Sequence, residues 1–143
     1  MKKRAGALLC AGLLLGMASF FCLWQKERAD QSVYLQMGSA GVQGALTALE
    51  DYRKSGQESD YIYLAGDFNL FVKACFLMRE DMTPNKNRLP CNELYGYMAV
   101  APERLRGHLD ELEAVLSMLS ADLEDPNAYL RMAELCNAIA REA

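Results

Sequence analysis

The sequence predicts an all-α chain: an N-terminal transmembrane helix followed by an antiparallel up-down four-helix bundle. Three observations carry that expectation. The first is an uncharged run of twenty residues from Ala5 to Trp24. The second is the return of apolar residues at threes, fours and sevens through most of 32–143, the period of a helix with one buried face. The third is that no stretch alternates with period two for long enough to make a strand.

At about 1.5 Å rise per residue, the run 5–24 is long enough to cross a hydrocarbon core of about 30 Å. Lys2, Lys3 and Arg4 precede it and favour a cytoplasmic N-terminus with the rest carried across. Trp24 stands at the far end, where an indole lies well in the interface. A cleaved signal peptide is the rival reading, with an apolar centre of about 7–15 residues and small residues spaced A-x-A. Gly16 and Ala18 have that spacing, but a cut there would leave Ser-Phe-Phe-Cys-Leu-Trp as the new terminus. Neither Cys10 nor Cys22 follows the small residue that a lipoprotein signal requires. The expected organisation is a basic cytoplasmic tail at 1–4, an uncleaved signal anchor at 5–24, a linker at 25–31 and an exported bundle at 32–143. Within the anchor, Gly12 and Gly16 form a GxxxG pair that would let a second membrane helix approach closely.

From Glu27 onward, 11 basic residues stand against 19 acidic ones, a net charge of −8. An acidic region of this kind is a poor partner for nucleic acid or anionic lipid, which need clustered Lys and Arg. The charges are interspersed, as on a solvated helical surface. The region is large enough for one domain and too small for two. Its cysteines, Cys75, Cys91 and Cys136, allow one bridge and one leftover thiol outside the cytoplasm.

The first bundle helix is expected from Ser32 to about Arg53, with Leu35, Val42 and Leu49 repeating at seven. Its glycine-rich half is poor in helix formers, and Ala40, Gly44 and Ala48 suggest close packing against a neighbour. Gly56 reads as a left-handed cap. Ser59 or Asp60 would start the next helix, which runs to about Arg79. Tyr61, Leu64, Phe68, Phe71, Cys75 and Met78 form its stripe, widened by Ile62, Ala65, Val72 and Phe76.

Residues 80–91 are polar, hold two prolines and read as the longest loop. A long helical pattern opens at Glu93, with Met98, Leu105, Leu112 and Leu119 at sevens and Ala101, His108 and Val115 as the seam. Pro102 predicts a break near Ala99 and a restart with proline in the new first turn. Asp125-Pro126 opens the last helix, faced by Tyr129, Met132, Cys136 and Ile139. In that layout Cys75 and Cys91 fall at the same end of neighbouring helices, and they are the expected disulfide pair.

The catalytic inventory is thin. His108 is the only histidine, and Glu111 is three residues on, but a di-metal bundle needs two Glu-x-x-His elements and two more glutamates. No Cys-x-x-Cys, zinc spacing, phosphate loop or nucleophile elbow is present. Tyr61, Tyr63, Tyr95, Tyr97 and Tyr129 either line a groove or pack at the core and rim, and core packing is the better reading. No catalytic residue, metal site or cofactor is expected, and no nucleic acid. The expectation is a single-pass membrane protein, N-terminus cytoplasmic, whose extracytoplasmic bundle docks a protein partner or a second copy of itself. The alternative is a ligand-sensing bundle acting through a membrane partner.

Overall fold

The structure, a computed structural model, describes residues 2–78 and 85–142, with side chains for 17, 19–78 and 87–142. The described residues are helical and hold no strand. The chain divides into two compact units, Met1–Val33 and Tyr34–Ala143.

Helix α1 spans Lys2–Ser55 and contributes to both units. Residues 25–31, expected as a linker, are helical. Gln, Lys, Glu, Arg and Ala are all good helix formers, and charge alone does not interrupt a helix. Among the described residues no helix is long and apolar enough to cross a membrane. Gly12 and Gly16, with most of the run 5–24, lie outside the residues whose side chains are described.

The second unit is a helical bundle around one core. It comprises the 34–55 part of α1 with α2 (Glu58–Leu77), α3 (Asn85–Val100), α4 (Pro102–Leu105), a 3-10 turn (Arg106–His108), α5 (Leu109–Ala121) and α6 (Pro126–Arg141). Gly56 at φ +66° ends α1, and its amide donates to the Tyr52 carbonyl at 2.8 Å. Helix α2 starts at Glu58 after Gln57, so neither Ser59 nor Asp60 is its cap. Instead Asp60 hydrogen-bonds Ser55 back across the turn.

The α2 stripe from Tyr61 to Met78 is buried as expected, but Ile62 and Phe76 are exposed. Those two lie beyond the arc that α1, α3 and the core cover. Glycines bring α1 onto α2. A Cβ at Gly41 would lie 2.6 Å from the Phe71 nitrogen, and one at Gly44 would lie 2.6 Å from the Asp67 carboxylate. Gly38, Gly41, Ala45 and Ala48 are the buried small residues, whereas Ala40 is exposed.

The expected loop at 80–91 is shorter, because α3 already begins at Asn85 and holds Pro90 inside it. Asn87, Cys91, Leu94 and Met98 stand four, three and four apart and are all buried. Burying that face outweighs the single backbone hydrogen bond a proline removes. Arg88 adds a tie by donating to the Met78 carbonyl at the end of α2, 2.7 Å away. The break at Pro102 occurs as expected, with proline opening α4. Met98, Leu105, Leu112 and Leu119 nevertheless all reach the core. At α6 the Asp125 carboxylate accepts from the Asn127 amide at 2.9 Å and Pro126 is the first helical residue.

Candidate functional site

The end of α2, the start of α3 and the inner face of α6 converge on three buried thiols, Cys75, Cys91 and Cys136. Cys75 and Cys91 hydrogen-bond each other. The Cys91 thiol also reaches the Asn87 carbonyl one turn back, at 3.1 Å. Cys75 lies 4.0 Å from the Tyr129 hydroxyl, which itself donates to the Leu123 carbonyl at 2.6 Å. Cys136 donates to the Pro90 carbonyl at 3.7 Å, beside Cys91 in the chain.

These contacts split the thiols electrostatically. The Cys91 hydrogen bond holds the Cys75 thiol below its usual range, against the burial that raises it. The same bond and burial push Cys91 well up. Burial pushes Cys136 up to about 12, helped by the Glu93 charge. Tyr129 is likewise raised by burial, then by its sulfur neighbours. Cys75 is thus the thiol that ionises most readily, with Cys91 placed to donate to it.

His108 does not join the thiols through its ring contacts. Its Nε2 lies 3.1 Å from the Glu142 carboxylate and its Nδ1 3.6 Å from that of Glu111. The imidazole therefore bridges the start of α5 to the end of α6. Among the described residues no group of three or more His, Cys, Asp or Glu could hold a metal ion.

The five tyrosines do not form one groove. Tyr61 and Tyr129 are buried, Tyr95 and Tyr97 pack against the core, and Tyr63 is exposed. Tyr61 belongs to a platform that sequence reasoning missed. Its ring meets Tyr52 edge-on at 5.4 Å, and the Arg106 guanidinium lies over it at 5.0 Å and pairs with Glu58. Burial raises the Tyr61 hydroxyl to about 12 even with Arg106 nearby. The turn at Gly56 brings Tyr52 and Tyr61 together, and that juxtaposition was readable from their near-equal distance from the glycine.

Two open surfaces stand out among the described residues. On α2, Ile62, Tyr63, Phe76 and Leu77 are exposed. Between α5 and α6 runs a groove of about 490 Å³, floored by Ala114, Val115, Leu135 and Ala138 and edged by Asp110, Glu111, Glu134 and Arg131. The glycine face of α1 is filled by the α2 backbone at Gly41, while a smaller cavity of about 320 Å³ opens beside Gly44, Ala48, Asp60 and Asp67. No protein-family model, curated protein or solved structure matches the chain.

Proposed function

We propose that the chain is a membrane-tethered helical-bundle accessory protein without catalytic activity. Residues 5–24 serve as the signal anchor, the N-terminus is cytoplasmic, and the antiparallel up-down bundle docks a protein partner on the extracytoplasmic side. One observation carries this reading. Met17, Phe20, Phe21, Leu23 and Trp24 are all exposed, at 61, 72, 54, 68 and 41 %, they form one continuous apolar sector of the helix, and no residue from 17 to 24 on any side carries a charge. A helix in water keeps a charged or strongly polar face, and exposed apolar side chains on a helix segment without one fit a lipid surround. The Arg28 guanidinium over the Trp24 ring, 4.0 Å from its centroid, suits the level where hydrocarbon gives way to headgroups. The exposed apolar residues of α2 supply a docking face for the partner.

Fractionation with alkaline carbonate and a protease-accessibility assay on intact cells test the tether. The expected result is an integral membrane protein of full length, with the bundle digested from outside. Release by carbonate, or a bundle protected in intact cells, would overturn the placement. Crosslinking in intact cells before mild detergent extraction tests docking, with a stoichiometric adduct expected and its loss on Phe76→Glu.

A further inference from the structure

The sequence leaves three ways to pair three cysteines, and the bundle separates them. Cys75 and Cys91 face each other within hydrogen-bonding reach, on consecutive helices and at adjoining ends. Cys136 is turned to the Pro90 carbonyl instead. Arg88 already holds the same two helix ends together through Met78. All three thiols are closed off from solvent in the folded bundle. Chemistry at these sulfurs therefore belongs to the period before α3 settles on α2.

We propose that Cys75 and Cys91 become joined by a disulfide as the exported bundle folds, through exchange with a disulfide-bearing oxidant of the extracytoplasmic space, and that Cys136 stays a buried thiol. The inference rests on the extracytoplasmic placement proposed above. In the first step the thiolate of one of the two cysteines attacks one sulfur of the oxidant's disulfide and expels the other as a thiolate, leaving a mixed disulfide. The second cysteine then loses its proton and attacks the sulfur of the first, displacing the oxidant's second thiolate. Two protein thiols give up two electrons and two protons, and the oxidant leaves as a dithiol. The order of attack is free, because both thiols are open to the oxidant before α3 settles on α2, and the adjoining helix ends then bring the second within reach of the first. The bridge would clip the first turns of α3, which Pro90 deprives of a backbone hydrogen bond, to the last turn of α2.

Two experiments on the full-length chain separate this inference from the topology it rests on. In the first, intact cells are quenched in acid and denatured, free thiols are alkylated without reductant, and the protein is mapped by mass spectrometry. The expected result is a Cys75–Cys91 peptide pair with Cys136 alkylated. Both Cys75 and Cys91 alkylated in a protein whose bundle is protease-accessible from outside, or Cys91 paired with Cys136, overturns the proposal. In the second, purified protein is refolded from denaturant with oxidised glutathione, which supplies the oxidant whatever the cellular location. The same single pair is expected, and it should vanish in Cys75→Ala and Cys91→Ala while persisting in Cys136→Ala. Refolding to the helical state with no Cys75–Cys91 pair overturns the proposal independently of where the protein resides.

Discussion

Gly41 lies against the backbone of Phe71 so closely that a methyl group has no place between them. The Cβ position is 2.6 Å from the Phe71 nitrogen and 2.8 Å from the Asp67 carbonyl oxygen. Backbone atoms in the middle of a helix cannot swing aside as a side chain can. Gly41→Ala must therefore push α1 and α2 apart or bend one of them. The expected loss is about 1–3 kcal/mol, typical of overpacking. Gly66→Ala is the matched comparison, since nothing lies within 4 Å of a Cβ there. It should be neutral or stabilise by up to about 1 kcal/mol, the helix-propensity gain. Urea unfolding of both full-length variants in mild detergent decides between them.

Alkali should destabilise the bundle from the ordinary cysteine and tyrosine range upward. Tyr61 and Cys136 are raised to about 12 from 10.0 and 9.0. The native state thus holds protons that the unfolded chain has already lost, and stability falls with rising pH in that interval. Their contribution is fully present below about 9 and is lost as pH climbs toward about 12. Urea midpoints taken from about pH 8 to about pH 11 should decline, and the decline should flatten in the Tyr61→Phe, Cys136→Ala double variant. An unchanged slope in that variant would rule these two groups out as its source.

Arg53 reaches Asp110 at 2.6 Å and Glu113 at 2.8 Å, tying α1 to α5. The carboxylates are substantially exposed, so water and salt weaken the pair. Arg53→Gln should cost less than about 1 kcal/mol at low ionic strength, and the difference should shrink as salt is added. Paired denaturation curves at low and high salt measure it.

His108→Gln should keep the fold and the cellular behaviour of the protein. Its ring contacts only join α5 to the end of α6 through Glu111 and Glu142. Faster amide exchange in the last turn of α6 is the expected trace. A variant that stays folded but loses its crosslinked partner would show that the histidine does more than brace a helix end.

Much of the bundle could be read from spacing. The sevens of Met98, Leu105, Leu112 and Leu119 survive the interruption at Pro102 because the restart and the 3-10 turn return the same face to the core. Gly56 and Asp125-Pro126 act through local chemistry and stand where local rules put them. The start of α3 was hidden for the opposite reason. Its polar composition and Pro90 speak for a loop, while the stripe Asn87, Cys91, Leu94 and Met98 matters only once α2 and α6 are there to cover it. The contact between Cys75 and Cys91 could be anticipated from adjoining helix ends. The approach of Cys136 to Pro90 could not, since it depends on how α6 is rotated against α3. Likewise Arg53 and Asp110 are 57 positions apart, and no sequence period links them.

Only Gly56 and Gln57 separate α1 from α2. In mechanical language, that joint has no slack. Were the 34–55 part of α1 to slide along its own axis by three residues, Gly38 or Gly44 would come toward the gap at Phe71 that admits only the hydrogen of Gly41. The glycines make a rail with repeated notches, and it is the short joint at Gly56 and Gln57 that opposes a step from one notch to the next.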